Sequence, residues 1–461
     1  MKNLKSRPNQ WFPERLQRSV ETDLTQVHSY GSQKLKVLLL SEVFVRNMGY
    51  LENCLPKYLA RLGAEVDVIS TDLPPYHQMS EKERKAYVGF ADATDVVPGA
   101  IESIHGFRWH VLAHKKALGY VCMAGLRKKL RSIRPDIVQT MHVIGWIPLQ
   151  AALAKPELGY KLFTGNHYHA SVFPLANKRL PPWNKELLRC RITRSLPGRL
   201  VSLFTERCYA ITSDCADVAV RFFGVPKKKI EICPLGVDTE LFRPIFSQEE
   251  RQQRAKLRKR LGFSDSDIVC IYTGRLGEDK NPLLLARAVA NLKVARESFR
   301  GLFVGNGVQA DAIRSCPRCV IHPFVPVREL GDFYRAADIG VWPTQESTSM
   351  LDAAACGLPI VANNTMTAPE RLEGSGLAYK LNDAEDLVRT LLTLRNQETR
   401  NRLGSYGAQK MARNFSWECV ARRRLRDYEA TLRSTDSRRA TVLSQELLER
   451  ADQERRRSNL T

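Results

Sequence analysis

The 461-residue sequence has no apolar run long enough to cross a bilayer. Its longest stretch without Asp, Glu, Lys or Arg, residues 137–154, is broken by Gln139, His142, Pro148 and Gln150, whereas a span needs about 20 mainly apolar residues. Residues 1–33 are polar and lack an apolar h-region, so they do not read as a signal peptide. There is no disulfide framework: the 11 cysteines are an odd number scattered from Cys54 to Cys419, the pattern of free thiols in a reducing cytoplasm. One CxxC exists, Cys316 to Cys319, but no second ligand pair at zinc spacing accompanies it, and no metal is expected. Acid is in deficit, 49 Asp and Glu against 71 Lys and Arg. The resulting charge of +22 favours an anionic partner, whether nucleotide, nucleic acid or acidic membrane surface, and does not bear on the fold. With 43% hydrophobic residues the chain can bury a large core, which excludes a wholly disordered protein.

What is present is a repeating β-α alternation. Lys36 to Ser41 is a short apolar run suited to a buried parallel strand. A loop with Gly49 follows, then Leu51, Leu55, Tyr58, Leu59 and Leu62 at helical spacing, and a strand over 65–70. Strands at 136–139, 162–164 and 208–212 continue the pattern, predicting one parallel-sheet α/β domain over about 35–235. The turn-rich stretch 234–244 reads as a crossing between domains, and the charged segment 249–260 as a solvated helix. A second series follows, with strands at 267–273, 301–304, 320–324, 338–342 and 359–362, while 430–461 reads as a polar, partly helical tail. In open α/β sheets ligands bind at the carboxyl ends of the strands. The loops to inspect are therefore 42–50, 142–146 and 164–170, then 274–281, 305–308, 324–328 and 343–350.

Two of these loops carry chemistry. In Gly274-Arg275-Leu-Gly-Glu-Asp-Lys280-Asn-Pro, a glycine turns the chain after a strand and two cations lie beside a predicted helix start. That arrangement suits a diphosphate, because helix N-termini attract anions and Arg and Lys supply a fork and a point charge. Solvated surface cations are the bland alternative. In Pro343-Thr-Gln-Glu346-Ser347-Thr348-Ser349-Met-Leu-Asp352, a hydroxyl residue can cap a short helix closing at Gly357. Asp352, a turn inside, can accept both hydroxyls of a ribose, and Glu346, on the loop, is free to reach a sugar hydroxyl. Here the bland alternative is an exposed Glu346 and a helix-stabilising Asp352.

Together these motifs resemble the retaining glycosyltransferases of family 4. The likeness runs over residues 35–430 and in chain order. Ile211 through Gly224 to Pro234-Leu-Gly-Val-Asp238 and Pro244 resembles the family's entry to its second domain. Tyr272 to Arg275 with Lys280 is similar to its phosphate loop, and Phe303-Val-Gly305-Asn-Gly307 to its next strand and loop. Asp338 to Pro343 leads into its acidic motif, followed by Pro369-Glu370, Gly376, Asp383 and Leu387. The resemblance implies the GT-B fold, α/β with two Rossmann-like doubly wound parallel sheets facing a central cleft. It implies a polar extension (1–34), an acceptor domain (35–240), a nucleotide-sugar donor domain (241–415), a helix returning to the first domain (416–432) and an Arg-rich tail (433–461).

It also implies roles. Arg275 and Lys280 would act on the departing diphosphate and Glu346 on the sugar, while Gly49, Gly274, Ser347, Thr348, Ser349 and Asp352 would hold the donor. A histidine after a mid-domain strand would meet sugar or phosphate: His167 by preference, with His169 and His142 as alternates. The implied reaction moves a sugar from a UDP- or GDP-sugar to a glycan, lipid-linked or small-molecule acceptor with retention, as in polysaccharide biosynthesis. No cofactor or metal is required and no nucleic acid is a partner. The expected location is cytoplasmic, extending to a peripheral position on the inner membrane face. Two departures stand out. The family's Glu-x7-Glu is here Glu346-x5-Asp352, with Thr344 at the first acidic position, and its Gly-Gly pair is Gly49-Tyr50. The altered acidic motif leaves open a catalytically impaired GT-B protein that binds sugar nucleotide or anionic membrane without turnover. Two basic stretches, 127–131 and 178–199 (including Lys178, Arg179, Arg189 and Arg191), are candidate contacts for anionic lipid.

Overall fold

The computed structural model describes residues 34–46, 48–74, 96–344, 346–366 and 368–434. The expected polar extension and most of the Arg-rich tail lie outside these residues. The first sheet is built from β1 (Lys36–Leu40), β2 (Glu65–Thr71), β3 (Ile101–Ile104) and β4 (Phe107–Leu112). A separate hairpin, β5 (His114–Ala117) and β6 (Tyr120–Met123), precedes β7 (Ile137–Thr140), β8 (Lys161–Asn166), β9 (Thr205–Ala210) and β10 (Ile230–Ile232). The sheet order is β10-β9-β8-β7-β1-β2-β4-β3. All its pairings are parallel except β3–β4, an antiparallel edge that the uniform reading of a parallel sheet did not anticipate. β3 runs into β4 through a tight turn at His105-Gly106, and a turn that short can join only antiparallel strands.

Strand alternation divides the first core into two faces. Val37 and Leu39 point to the cluster that contains Phe163, Tyr209 and Trp417, and Leu38 and Leu40 to the opposite cluster with Val138, Ile147 and Val201. Burial on both faces explains why β1 reads as an unbroken apolar run. The second sheet comprises β11 (Ile268–Thr273), β12 (Phe299–Val304), β13 (Cys319–His322), β14 (Ile339–Trp342), β15 (Ile360–Asn363) and β16 (Gly376–Tyr379). Its order, β13-β12-β11-β14-β15-β16, is the doubly wound order of dinucleotide-binding folds, and all its pairings are parallel. The order reverses between β11 and β14. The same reversal occurs between β1 and β7 in the first sheet.

The chain passes between the two sheets twice, and the crossings hold each other. Val237 N–H donates to Phe415 O at 2.7 Å and Trp417 N–H to Val237 O at 3.0 Å. A Cβ on Gly236 would lie 2.7 Å from the Trp417 ring, so only glycine permits this approach. The helix over 417–434 then lies on the first sheet, burying Trp417, Val420, Ala421 and Tyr428 among first-domain residues. Asp427 accepts from Arg207 and from the Tyr209 hydroxyl, both at 2.8 Å.

Asp238 anchors the outgoing crossing. Its carboxylate is 2.7 Å from Lys57 Nζ and accepts from the Tyr58 hydroxyl at 2.9 Å and from Glu240 N–H at 3.1 Å. Lys57 and Tyr58 belong to the helix Leu51–Arg61 of the first domain. Asp238→Ala should lower unfolding stability by about 2 kcal/mol, because it leaves the Tyr58 hydroxyl without its acceptor and the nearly buried Lys57 ammonium with only the more exposed Glu240, at 3.2 Å. Tyr58→Phe should cost about 1 kcal/mol. Urea denaturation of both variants checks this, and equal small losses would show that the carboxylate does not secure the junction.

Candidate active site

The loops that follow β11 and β12 pack edge to edge. Gly274 N–H donates to Val304 O at 3.0 Å and Leu276 N–H to Asn306 O at 2.9 Å. A Cβ on Gly305 would lie 1.9 Å from Gly274 O, and both glycines have positive φ, 149° and 135°. Glycine is therefore needed for the loops to form this tight floor. Arg275 and Lys280 stand on the first loop. Arg275 is exposed and pairs with Asp279 at 2.8 Å. The Lys280 ammonium has no carboxylate or hydrogen-bond partner among the described residues. Burial, partly opposed by Asp279 and helped by the Arg275 charge, lowers its pKa. Lys280 precedes the helix Pro282–Val294, as expected, but Asn281 does not cap it with its side chain. Asn281 instead takes a left-handed backbone (φ 46°), which turns the chain into the helix.

The loop after β14 lies across the switch point from this floor. Thr344 Oγ1 donates to Asp279 O at 2.7 Å, and Tyr379 and Asn363 donate to Pro343 O at 2.6 and 3.3 Å. Ser347 and Ser349 share a 2.7 Å hydroxyl contact, and Ser349 also accepts from Trp342 Nε1 at 3.1 Å. The short helix Ser349–Ala355 starts at Thr348 without a side-chain cap. Asp352 projects from it into the recess where the domains meet. Burial, reinforced by the charge of Asp238, pushes its carboxyl well above the usual range. No hydrogen bond or ion pair engages that carboxyl among the described residues. Burial, Asp238 and Asp352 also push up the thiol of Cys54, which places a first-domain residue within electrostatic reach of Asp352.

Glu346 does not stand free as the sequence suggested. Its Oε1 accepts from Ala368 N–H at 3.1 Å and its Oε2 lies 3.4 Å from Arg371 Nη1, with both side chains under 10% exposed. A buried guanidinium requires a counter-charge, and Glu346 supplies it. Gly49, in the loop after β1, reaches across the cleft: a Cβ there would lie 3.1 Å from Val327 Cγ2, at the start of the helix Val327–Ala336. The carboxyl-end loops of the two sheets therefore face each other.

His142 and His167 follow β7 and β8, and their rings lie 5.5 Å apart edge to face. Burial lowers His142 to about 4. Burial, then His142, Arg424 and His169, takes His167 well below its usual value, so both rings are neutral at physiological pH. His169 is different. Its Nδ1 is 3.2 Å from Asp214, which also accepts from Ala170 N–H. Burial alone would lower His169, but hydrogen bonds to Asp214 and Cys215 outweigh it and push the ring up to about 10.

Several partners in this site were not legible in the sequence. Asp279, Arg371 and Asp214 each answer a site residue, and Arg424 comes from the returning helix. The Arg424 guanidinium is 2% exposed and stacks 3.2 Å from the Tyr209 ring centre, and its Nε and Nη1 have no hydrogen-bond partner among the described residues. Only Asp279, four residues from Arg275, carried a local signal.

The comparisons with known proteins agree with this geometry. The family model described as Glycosyltransferase Family 4 matches residues 55–241, and that described as Glycosyl transferases group 1 matches residues 267–397. The D-inositol 3-phosphate glycosyltransferase of Thermomonospora curvata is 27% identical over 84% of this chain and 91% of its own. That of Thermobispora bispora is 25% identical over 81% and 87%. Among solved structures, the sucrose-phosphate synthase of Thermosynechococcus elongatus superposes with a TM-score of 0.61 at 16% identity, covering 87% of this chain and 100% of that one. Anabaena HepE in complex with UDP and glucose gives 0.60 at 15%, covering 86% and 99%. Two Rossmann-like sheets with apposed loop edges, matched across both domains, define a glycosyltransferase of the GT-B fold. The chain belongs to glycosyltransferase family 4.

The His169–Asp214 pair sets a pH dependence. A ring raised from 6.5 to about 10 contributes stability that is full below 6.5 and lost as pH rises through 10. Asp214→Asn should therefore flatten the decline in stability across that alkaline window. Denaturation midpoints at both ends of the window test this, and a variant that parallels the wild type would show that the pair is not coupled to folding.

Proposed function

We propose that the enzyme transfers a sugar from a UDP- or GDP-sugar to a glycan, lipid-linked or small-molecule acceptor with retention of configuration. The observation that carries this reading is the placement of two unpartnered ionisable groups, the Lys280 ammonium over a glycine floor and the Asp352 carboxyl in the recess, on either side of the second sheet's switch point. An ammonium beside a helix start fits a diphosphate. A carboxylate without donors fits the two hydroxyls of a ribose. The likeness to HepE, which is solved with UDP and glucose, supports a uridine donor, and the relatives named for D-inositol 3-phosphate put a phosphorylated polyol first among acceptors to try.

In this reading Lys280 and Arg275 stabilise the charge that builds on the departing diphosphate, usually the largest catalytic term, without calling on a metal ion. The Gly274 and Gly305 loops bring backbone close to the phosphates, and Ser347, Thr348 and Ser349 line the sugar side. Neutral His167, with its ring kept uncharged, hydrogen-bonds a sugar hydroxyl or phosphate oxygen. Glu346, committed to Arg371, holds the loop in place and leaves the sugar contact to its neighbours. Gly49 meets the donor from the first domain when the cleft closes. The basic stretches 127–131 and 178–199 support a position at the cytoplasmic face of an anionic membrane.

Lys280→Ala should lower turnover by about a hundredfold or more without lowering the melting temperature, since it removes a desolvated ammonium and breaks no ion pair. Asp352→Asn should weaken binding of UDP or GDP alone, measured by calorimetry, more than Glu346→Gln does, whereas Glu346→Gln should lower stability. Because burial, reinforced by Asp238, raises the Asp352 carboxyl above its usual range and only the ionised form accepts from two hydroxyls, nucleotide affinity should rise with pH as that carboxyl ionises. Near wild-type turnover in Lys280→Ala, or loss of nucleotide binding confined to Glu346→Gln, would overturn the assignment.

A further inference from the structure

Residues 185–204 form one continuous helical segment: Lys185–Cys190, a wider π turn Arg191–Ser195, and Leu196–Phe204. Its inner face is anchored in the first domain. Cys190 and Val201 are buried in the core, and Gly198 lies so close to the Phe223 carbonyl that a Cβ would overlap it. Its outer face carries Leu188, Ile192, Leu196, Leu200 and Leu203, which are 49%, 60%, 64%, 40% and 74% exposed. Steps of four residues drift around a regular helix, and the wider π turn offsets that drift, so Leu188, Ile192 and Leu196 stay in line. The row runs about 20 Å along the surface. Trp183, 80% exposed, stands just ahead of it. A contiguous apolar ridge of this kind is unusual on a monomeric soluble protein and marks a contact surface.

Cations are interspersed with the apolar row: Arg189, Arg191, Arg194 and Arg199, with Lys185 ahead of it. Lys185, Arg189, Arg191 and Arg199 meet no carboxylate among the described residues, and the segment's one acid, Glu186, is taken by Lys178 at 3.2 Å. The second basic stretch, 127–131, lies on the same side of the first sheet. Leu126 and Leu130 share a core cluster with Cys190 and Val201, and the helix Trp146–Leu158 packs against both elements.

We infer that this helical segment is an in-plane membrane anchor whose apolar row enters the headgroup–acyl boundary of an anionic bilayer while its arginines meet the lipid phosphates. This deepens the membrane reading given above and rests on it, because it names insertion, rather than charge attraction alone, as the mode of binding. The charge pattern selects the occupant. A two-fold dimer through the same row would set unneutralised arginines against their copies. An anionic lipid surface neutralises them, and apolar residues with an interfacial Trp suit its boundary layer. The π turn fits the same role, since Pro197 has no N–H to donate to the preceding turn and an ordinary helix would kink there.

The test is co-sedimentation of the full chain with vesicles of phosphatidylcholine alone or with about one-third phosphatidylglycerol, at low and high salt. The expected result is binding to the anionic vesicles that salt weakens but does not abolish. Ile192→Ser with Leu196→Ser, at sites too exposed to affect folding, should lower the partition about tenfold or more at both salt levels. Arg189→Glu with Arg191→Glu should lower it at low salt. A blue shift of tryptophan emission on vesicle addition should be lost in Trp183→Phe. Binding of the serine variant equal to wild type would overturn insertion and leave charge attraction standing. No binding of the wild type to either vesicle would remove the membrane reading itself. A wild-type dimer that the serine variant dissociates, seen by light scattering without vesicle binding, would assign the row to a second copy. Nucleotide-induced thermal shifts, which depend on the second domain, should be the same in all variants.

Discussion

The carboxylate of Asp238 sits where the two domains become one molecule. It holds Lys57 and Tyr58 of the first domain, it begins the crossing that pairs with the returning chain, and its charge bears on Asp352 in the recess. The cleft therefore has a fixed rear wall, and the loop edges in front can approach or separate about it. The double crossing adds a second constraint. The chain leaves at Val237 and comes back at Ser416, and the backbone bonds between them mean that neither passage can shift alone. With the 417–434 helix buried in the first sheet, opening of the cleft must come from small backbone rotations at these two passages.

The cleft is lined by groups that folding has left unanswered. Other buried charges are matched, as with Arg258 by Asp338 and backbone carbonyls and Asp67 by Arg108 and His110, while Arg424 is stacked on Tyr209. In the recess, Asp352 and Lys280 find no partner among the described residues. Leaving a buried carboxyl and ammonium unpaired costs stability, and pairing them with each other would remove the site. Their separation across the switch point is what makes the recess complementary to a ligand with an anionic end and a hydroxyl-bearing end. The neutral histidine pair on the opposite wall completes this contrast, since burial opposes protonation of both rings and the Arg424 charge adds to this at His167.

The excess of basic residues is unevenly used. Many arginines are consumed in internal pairs, as with Arg254, Arg300 and Arg371. Those on the 185–204 helix are not, and they alternate with apolar residues that a soluble surface would not need. The basic residues thus include a set neutralised inside the domains and a set on the 185–204 helix of the first domain that meets no carboxylate among the described residues.

The sequence by itself determined the periodicity of the elements, the two Rossmann-like halves and the loops that carry chemistry. These depend on local signals: apolar runs for strands buried on both faces, glycines where the chain must turn, and cations beside a helix start. The tertiary structure decided what each site residue meets. Whether Glu346 faced a sugar or a guanidinium depended on Arg371, 25 residues on and buried behind the loop. Whether His167 or His169 carried a charge depended on how deeply the fold buries each ring and on Asp214, 45 residues along the chain from His169. The antiparallel edge at β3, the pairing of the two crossings and the line of leucines that the π turn keeps aligned were likewise settled only by folding. Local sequence sets what a residue can do, but its protonation and its partners follow from burial and distance, which the fold alone establishes.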